Sequence, residues 1–324
     1  MTDSTLSYDS HGRPHADVTH DVTVVGSVNA DLAIALDALP PAGQTVRGSD
    51  ALRGLGGKGA NQAVAAARLG RSTAMVAAVG DDEEGRGLRA VLAAEGIDVT
   101  HVAALPVPTG VAVVLVHGGE STIVLSPGAN DRLDAGAVRA ATATVAGARV
   151  VVLQCEVPDA ALLAAAELCT GLLVLNPAPA RPLPAALLAR VDLLVPNAGE
   201  LAVLAGADVA ADVDGLVAQA RAVRPAGTTV VTRGERGALV VTPGGHVEVP
   251  AVPADLVDAT AAGDSFVAAV VDGLLDGLGL LEAAGWAARV AAVVVGRPGA
   301  SASLPRKGEV PGGDGRPGGA EVSS

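Results

Sequence analysis

A carboxylate at the start of a predicted helix is the strongest chemical signal in this 324-residue sequence. Residues 258–264 read Asp-Ala-Thr-Ala-Ala-Gly-Asp, and an apolar segment with helical periodicity, 266–275, follows them. The first turn of a helix offers unpaired backbone N–H groups and the positive end of the helix dipole, which attract anions. Acidic residues are also common at helix starts without any catalytic role. Here only small side chains precede Asp264, so its carboxylate is accessible and could take a proton from a hydroxyl that attacks phosphorus.

A glycine-rich segment earlier in the chain could bring bare backbone close to a polar ligand. Residues 54–62 read Gly-Leu-Gly-Gly-Lys-Gly-Ala-Asn-Gln, and they offer free N–H groups together with Lys58 and Asn61. The spacing differs from the phosphate-binding P-loop, Gly-x-x-x-x-Gly-Lys-Ser/Thr. A tight turn before a helix capped by Asn61 explains the same residues equally well. The segment therefore indicates a ligand contact only in combination with other motifs.

Polar residues also follow three predicted strands, at the edge where open α/β sheets bind their ligands. They are Glu156, the pair Asn197 and Glu200, and the segment that contains Thr232, Gly234 and Gly237. Asn197 and Glu200 lie three apart on one helical turn and could orient waters around Mg2+, although a helix-capping pair is the simpler interpretation. The glycines after Thr232 suit the phosphates of a nucleotide.

The elements that must position these residues alternate between strands and helices. Short apolar runs predict buried strands at 22–26, 73–79, 150–154, 172–175, 193–195 and 229–232, and helices are predicted at 61–69 and 85–95. This alternation is typical of an α/β fold with a mostly parallel central sheet and helices on both faces.

Two segments interrupt this alternation and predict β-ribbons. One pairs 32–38 with 45–52 around Pro40-Pro41, and the other pairs 110–117 with 121–125 around Gly118-Gly119. We expect the four strands to form a small sheet, called the lid here, within segments of about 30–53 and 108–127.

The composition excludes several functions. The net charge of −13 argues against a nucleic-acid partner, and no uninterrupted apolar run is long enough to span a membrane. Cys155 and Cys169 are too few for a disulfide framework or a zinc site, and their apolar surroundings predict buried thiols in a reducing cytoplasm. With one Trp, one Tyr and one Phe, the core must consist of Ala, Val and Leu.

Both ends of the chain have the composition of disordered tails. Residues 1–20 are polar and aperiodic, and a solvated leader explains His11, His15 and His20 better than a metal site does. Residues 306–324 are rich in Gly and Pro. We therefore expect one folded domain over residues 21–305.

The motifs occur in an order that resembles the ribokinase-like (PfkB) family of sugar kinases. They are Asn29-Ala-Asp31, Gly56-Gly-Lys-Gly-Ala-Asn61, Gly128-Ala-Asn130, Asn176-Pro-Ala-Pro-Ala180, Pro196-Asn197 with Glu200, and Ala261-Ala-Gly-Asp264. The resemblance extends from Val22 to Pro305, and a series of motifs in register is far more specific than any one of them.

The resemblance implies a role for each motif residue. Sugar binding is implied for Asn29, Asp31, Gly57, Lys58, Asn61 and Glu156. Asp264 matches the catalytic base, and Ala261, Ala262 and Gly263 match the anion hole. Nucleotide contacts are implied for Asn197, Thr232, Gly234 and Gly237, and water-mediated Mg2+ contacts for Asn197 and Glu200. A K+ loop is implied for Asp258, Thr260, Val294, Arg297, Gly299 and Ser303, mostly through carbonyl groups.

The resemblance further implies transfer of a phosphoryl group from ATP to a sugar, with D-ribose as the expected substrate. Separately, the lid strands alternate apolar and small residues and have no helix to cover them, so we expect two lids to pack together in a symmetric homodimer. A nucleoside kinase is disfavoured, because the lid segments contain no aromatic residue on which a base could stack. Fructose and a 2-keto-3-deoxy sugar acid stay open, and the acid would need a cation such as Arg47 or Arg53. A non-catalytic sugar-binding regulator would be expected to lack Asp264 or the Ala-Ala-Gly run, and both are present.

Overall fold

The computed structural model describes residues 18–117 and 120–313, which fold around two β-sheets. The strands are β1 (His20–Val25), β2 (Asn29–Ala35), β3 (Leu52–Gly56), β4 (Thr73–Gly80), β5 (Asp98–Leu105), β6 (Gly110–His117), β7 (Glu120–Ser126), β8 (Ala148–Gln154), β9 (Leu172–Asn176), β10 (Leu193–Leu194), β11 (Thr228–Thr232), β12 (Ala238–Thr242) and β13 (Gly245–Val249). The helices are α1 (Lys58–Arg68), α2 (Glu83–Ala94), α3 (Ala135–Ala140), α4 (Thr142–Ala146), α5 (Asp159–Leu168), α6 (Ala185–Arg190), α7 (Ala198–Ala205), α8 (Val213–Val223), α9 (Ala262–Leu275) and α10 (Leu280–Val295).

The larger sheet is mostly parallel. Its order is β13-β12-β11-β10-β9-β8-β1-β4-β5, and only the β11–β12 and β12–β13 pairs are antiparallel. This topology confirms the predicted α/β fold. The edge strand β5 was not predicted, because Asp98, Thr100 and His101 interrupt its apolar pattern.

Apolar side chains alternate between two layers on the two faces of this sheet. In β8, Val150 and Val152 pack in the layer that contains α1, α9 and α10, whereas Val151 and Leu153 pack in the layer that contains α3, α5 and α6. Helices therefore cover both faces, as predicted. Both layers consist mainly of Ala, Val and Leu, and Phe266 and Trp286 are buried among them.

The lid is a four-stranded sheet in the order β3-β2-β6-β7. The ribbon formed by β6 and β7 confirms the prediction, although its turn at Gly118-Gly119 lies outside the described residues. The predicted strand at 45–52 is wrong, because the ladder with β2 begins only at Leu52, and before it the backbone N–H of Ser49 donates to the carbonyl of Ala35. The pairing follows burial, since Leu55 is buried whereas Val46 is exposed.

The predicted ends of the domain need two corrections. Strand β1 begins at His20, and the backbone N–H of Thr19 donates to the carbonyl of Gly147 at 3.0 Å, so order begins before residue 21. At the other end, residues 306–313 pack against the domain, and Val310 is buried. The remaining residues of both predicted tails, including His11 and His15, lie outside the described ranges.

A buried charge cluster attaches this last segment to α9. The fully buried carboxylate of Asp272 accepts from Arg71 Nε at 2.6 Å, Trp286 Nε1 at 2.9 Å and Lys307 Nζ at 3.1 Å. Such a carboxylate is tolerated in a core only when it is paired and hydrogen-bonded. Composition alone does not predict this attachment, because it depends on a single lysine, Lys307, in a segment otherwise rich in Gly and Pro.

Two further predictions concern the cysteines and the absence of a membrane span. Cys155 and Cys169 are both buried, as expected. None of the helices in the described ranges combines the length and the hydropathy that a membrane span requires.

Candidate active site

The carboxyl ends of the central strands and one face of the lid enclose a cleft of about 990 Å³. It is lined by most of the predicted site residues: Asn29, Asp31, Gly57, Lys58, Asn61, Glu156, Asn197, Glu200, Thr232, Asp258, Thr260, Ala261, Gly263 and Asp264. The lid contributes Ala112, Val114, Ile123 and Leu125. The structure thus brings residues as far apart as Asn61 and Asp264, 203 positions, into hydrogen-bonding contact.

The other predicted site residues do not line the cleft. They are Ala262, Gly234, Gly237, Val294, Arg297, Gly299 and Ser303. Ala262 lies between two lining residues, and its N–H donates to the carbonyl of Ala259 at 3.2 Å, so this donor is engaged within the chain. The prediction that it contributes to an anion hole is therefore weaker than for its neighbours.

Asp264 lies in the first turn of α9 and is only 6% exposed. Its Oδ2 accepts from Asn61 Nδ2 and its Oδ1 accepts from Gln62 Nε2, both at 3.0 Å. Burial raises the pKa of this carboxyl, and Glu156 adds to the rise, whereas Lys58 and the two amide hydrogen bonds act in the opposite direction. The result is a buried carboxylate that faces the cleft and is held at both oxygens.

The residue that precedes α9 has a strained backbone. Ala261 has φ 62° and ψ 3°, the left-handed conformation, and is the only non-glycine residue with positive φ in the described chain. This conformation is costly for a residue with a Cβ atom and is often found at functional sites. Helix α9 begins directly after Ala261, and Gly263 and Asp264 in its first turn line the cleft.

The glycine-rich segment is explained by close approach. A Cβ atom at Gly56 would lie 1.9 Å from Oδ1 of Asp31, so only glycine lets this carboxylate lie against β3. Gly57 has φ 88°, which turns the chain from the lid strand into α1. The tight turn and the ligand interpretation of this segment are therefore compatible, but the predicted cap is wrong: the N-cap of α1 is Gly57, and Asn61 lies within the helix and donates to Asp264.

The carboxylates beside this turn are close enough to affect one another. Burial, helped by Glu156 and Asp264, raises the pKa of Asp31 to about 7. Among the described residues that line the cleft, Lys58 alone has a cationic side chain. Asp264 is the main cause that raises the pKa of Lys58, while burial opposes it, so the lysine stays protonated.

Two oxygen atoms in this part of the cleft are buried without a hydrogen-bond partner among the described residues. They are Oδ1 of Asp31 and Oδ1 of Asn61. Buried acceptors are rarely left unpaired in folded proteins. Because both residues also line the cleft, the hydroxyl or amine groups of a ligand are candidate donors to them.

A set of supporting residues was missed by sequence reasoning. Ser27 Oγ donates to Glu156 Oε2 at 2.5 Å, and Asn130 Nδ2 donates to Asn29 Oδ1 at 2.7 Å. Gln62, Gln154 and Asn176 form a third group beneath Asp264. Asn130, Asn176 and Gln62 stand within or beside recognised motifs, so a search for polar residues near each motif would have found them.

Asn197 and Glu200 form a reciprocal helix cap. Asn197 Oδ1 accepts from the N–H of Glu200, and Glu200 Oε2 accepts from the N–H of Asn197, both at 2.8 Å. The predicted helix cap is therefore confirmed. Asn197 and Glu200 both line the cleft, so capping the helix does not remove them from it. Burial raises the pKa of the Glu200 carboxyl.

The segment after β11 is a tight turn held by backbone hydrogen bonds. The N–H of Thr232 donates to the carbonyl of Pro196 at 2.9 Å, and the N–H of Arg233 donates to the carbonyl of Gly237 at 2.8 Å. Gly234 and Gly237 have φ of 58° and 74°, and residues 234–236 are exposed. This tight, exposed loop differs from the buried carboxylate side of the cleft.

The two segments expected to hold K+ lie side by side. Asp258 Oδ1 accepts from the N–H of Thr260 at 2.8 Å, and its Oδ2 accepts from the N–H of Gly299 at 2.9 Å. Burial is the largest single effect on the pKa of Asp258 and raises it. The hydrogen bonds from Thr260 and Gly299 together outweigh burial, so the net pKa is lowered. Arg297 pairs with Glu309 at 3.1 Å, so it is not the partner of Asp258.

Direct metal ligation by protein side chains is a separate question. Within residues 18–117 and 120–313, no group of three or more His, Cys, Asp or Glu residues is arranged to hold a metal ion. A metal at this site would therefore need ligands from water or from a bound substrate, which is usual for Mg2+.

Comparison with known proteins identifies the class to which this fold and cleft belong. Residues 19–307 match the model of the pfkB family carbohydrate kinases, and the chain belongs to this family. This confirms the family predicted from the motifs.

Relatives within the family point to one type of sugar kinase. The chain is 36% identical to a ribokinase from Haemophilus influenzae over 89% of its own length and 96% of the relative's. It resembles the crystal structure of ribokinase from Thermotoga maritima, with a TM-score of 0.83, 29% identity and coverage of 91% and 99%. It also resembles the Arabidopsis thaliana ribokinase complexed with ribose and ATP, with a TM-score of 0.79, 29% identity and coverage of 88% and 96%.

Proposed function

We propose that this protein transfers the γ-phosphoryl group of ATP to the primary hydroxyl of D-ribose and forms D-ribose 5-phosphate. The observation that carries the proposal is the Asp264 carboxylate, which lies at a helix start and faces a cleft with unpaired buried acceptors on Asp31 and Asn61. A sugar supplies several hydroxyl donors for such acceptors. The similarity to ribokinases over most of the chain supports the choice of ribose.

In the proposed mechanism, Asp264 acts as the general base. Its carboxylate accepts the proton of the sugar hydroxyl while the hydroxyl oxygen attacks the γ-phosphorus in line with the departing ADP oxygen. Burial raises the pKa of Asp264 and so strengthens it as a base. Backbone N–H groups at Ala261, Gly263 and Asp264 stabilise the charge on the transferring phosphoryl group.

The sugar is held by side chains on the buried side of the cleft. Asp31 and Asn61 present the unpaired acceptors, and Lys58 donates to sugar oxygens. Asn29, Gly57 and Glu156 complete the set. Because Asn130 holds the Asn29 amide and Ser27 holds the Glu156 carboxylate, these two side chains are oriented before the sugar arrives.

The nucleotide is proposed to bind on the other side, against Thr232, the loop with Gly234 and Gly237, and Asn197. The exposed loop offers backbone groups to the phosphates, and its glycines allow close approach. Asn197 and Glu200 would hold Mg2+ through water, which agrees with the absence of a direct ligand cluster in the described chain. When bound, this ion neutralises charge on the phosphates.

A K+ site is proposed between segments 258–260 and 294–303. The donor set fits a monovalent cation, because Asp258 is ionised and clamps the two irregular segments together. Carbonyl groups of Thr260, Val294, Arg297, Gly299 and Ser303 would complete the site. Bound K+ supplies positive charge that keeps the backbone before α9 in place.

A homodimer formed through the lid is also proposed. Leu52, Ile123 and Val124 are 72%, 56% and 59% exposed on the edge strands of the lid. Exposed apolar edge strands favour pairing, and two lids related by a twofold axis would cover them. Light scattering at micromolar concentration should give twice the monomer mass, and a stable monomer would contradict the proposal.

The proposed reaction is tested by ADP release with Mg2+, K+ and a panel of acceptors. We expect D-ribose to give the highest kcat/KM, above fructose, a 2-keto-3-deoxy sugar acid and adenosine. Background ADP release with ribose together with clear turnover of another acceptor would overturn the choice of sugar. The cytoplasm, which supplies ATP, is the compartment proposed for this activity.

A further inference from the structure

Gln62 lies directly beneath Asp264 at the centre of a buried amide cluster. Its Nε2 donates to Oδ1 of Asp264 at 3.0 Å and to Oδ1 of Asn176 at 3.1 Å, and its Oε1 accepts from Nε2 of Gln154 at 2.6 Å. Gln62 is 1% exposed and Gln154 is 0% exposed. Neither glutamine lines the cleft, so neither has direct access to a substrate.

A backbone carbonyl fixes the direction of every bond in this cluster. The carbonyl of Val195 can only accept, so Asn176 must point its Nδ2 toward it, at 2.9 Å. Oδ1 of Asn176 then faces Gln62 and requires a donor, which only Nε2 of Gln62 can supply. The second N–H of the same nitrogen is directed at Oδ1 of Asp264. The orientation of Gln62 is therefore set independently of the charge on Asp264.

We propose that Gln62 is a positioning residue that fixes the Asp264 carboxylate and reserves one of its oxygens for the reaction. This inference rests on the proposed role of Asp264 as general base. Gln62 engages Oδ1 from the core side, whereas Oδ2 is bonded to Asn61, which lines the cleft. Oδ2 is thus the atom that receives the proton of the sugar hydroxyl, while Gln62 prevents the carboxylate from rotating.

Gln62 also favours the ionised form of the base. Its hydrogen bond is one of the contacts that lower the pKa of Asp264 against the effect of burial. The other charged groups that face Asp264 are Lys58 on α1, Asp31 on β2, Glu156 after β8 and Glu200 on α7. None of them contacts Gln62 through a hydrogen bond in the described structure, so their effect on Asp264 should persist when Gln62 is replaced.

The proposal is tested with Gln62→Met, which keeps the length of the side chain and removes its polar atoms. The acid limb of the kcat–pH profile should move to higher pH by about one unit, because loss of a donor raises the pKa of the base. On the acid limb itself kcat should fall about tenfold, because a rise of one pKa unit lowers the ionised fraction of the base tenfold there, and the loss on the plateau should be smaller. The Kd of ribose should change less than twofold, since Gln62 does not line the cleft.

Gln154→Met is the matched control. It removes a buried amide that bonds to Gln62 but not to Asp264, and Asn176 still orients Gln62. Its acid limb should stay in place even if its thermal stability falls. Equal shifts of the acid limb in the two variants would overturn the proposal, because a general packing defect would then explain both.

Gln62→Glu provides a second test if the methionine variant folds poorly. The added carboxylate faces Asp264 at hydrogen-bonding distance, so the acid limb should move further upward than in Gln62→Met. An unshifted acid limb in this variant would also contradict the proposal.

A readout without turnover separates this proposal from the proposed function. The 13C signal of the Asp264 carboxyl, assigned by its loss in Asp264→Asn, should titrate at higher pH in Gln62→Met than in the parent protein. If the signal shifts but no acceptor is phosphorylated, the positioning role holds and the proposed function fails. If ribose is phosphorylated but neither the signal nor the acid limb moves, the positioning role fails and the proposed function stands.

Discussion

The sugar side and the nucleotide side of the cleft use different parts of the chain. On the sugar side, Asp31, Glu156 and Asp264 are carboxylates whose positions are fixed by other side chains or by close contact with backbone. On the nucleotide side, residues 234–236 are exposed, and the cleft lining there includes the small residues Thr232, Ala259 and Thr260. A substitution on the first side therefore changes the chemistry, whereas one on the second side changes backbone geometry.

The largest expected effect belongs to the sugar side. Asp264→Asn keeps the shape of the side chain and removes the proton acceptor, so kcat should fall by ~10²–10⁴-fold. Ribose affinity, measured by calorimetry, should change far less. Asp276→Asn, at the opposite end of α9, is the control and should keep its kcat. A near-normal kcat for Asp264→Asn would contradict the role of Asp264 as general base, and with it the chemical distinction between the two sides of the cleft.

The next effect concerns the charge of Asp31. A hydrogen bond to a charged group is worth ~1.5–3 kcal/mol, so Asp31→Asn should weaken ribose binding by ~10–100-fold. In the parent protein, ribose should bind more tightly as pH rises through about 7, where Asp31 ionises. Asp37→Asn, on an exposed part of the lid segment, is the control. Ribose binding that is independent of pH between 6 and 8 would contradict this assignment.

The same carboxyl predicts the sign of a stability effect. Because its pKa is raised from 3.8 to about 7, the folded protein binds a proton in this interval that the unfolded chain has released. Asp31 therefore makes the free energy of unfolding decrease as pH rises from 4 to 7. Asp31→Asn should flatten this part of the pH–stability profile, which chemical denaturation can measure.

A smaller effect is expected from the cation loop. Replacing K+ with tetramethylammonium at equal ionic strength should lower the rate several-fold, and Asp258→Ala should abolish the difference. K+ should also raise the Tm of the parent, since a ligand that binds only the folded state stabilises it. Asp255→Ala, an exposed neighbour, is the control. Identical rates and identical Tm values in both salts would exclude the site.

The smallest effect tests the strained backbone on the nucleotide side. Ala261→Gly removes the Cβ that opposes φ 62°, which costs ~1–2 kcal/mol, and glycine's added freedom in the unfolded chain offsets part of this. The free energy of unfolding should rise by about 1 kcal/mol, while kcat falls less than tenfold. Ala259→Gly, where φ is negative, should destabilise the protein instead. Equal changes in stability would show that Ala261 is not strained.

The fold was largely predictable because apolar periodicity reports burial. The strands at 22–26 and 150–154 needed only their own residues to be recognised. The strand β3 was misplaced, because its register depends on pairing with β2 rather than on local composition. The packing of Lys307 was missed for a similar reason, since its partner Asp272 lies in another element.

The site was predictable where the residue type and its neighbours in the sequence indicate the chemistry. Asp264 and the glycine-rich turn stood out because small neighbours and a helix start are visible in sequence. The orientation of Gln62 was not predictable, because it depends on a carbonyl 133 residues away, at Val195. The clamping of two segments by Asp258 was also hidden, since its second partner is a backbone N–H at Gly299.

The charge cluster around Asp272 constrains when during synthesis helix α9 can be fully paired. Helix α9 carries Asp264 at one end, packs on α1 from the first quarter of the chain, and is held near its other end by Lys307. Synthesis must therefore pass Lys307 before Asp272, on the same helix as the catalytic carboxylate, has all three of its donors. Until then, the nascent chain has the sugar-side residues but lacks the lysine that completes the pairing of a buried aspartate. Full pairing of this buried carboxylate thus depends on a segment 35 positions further along the chain.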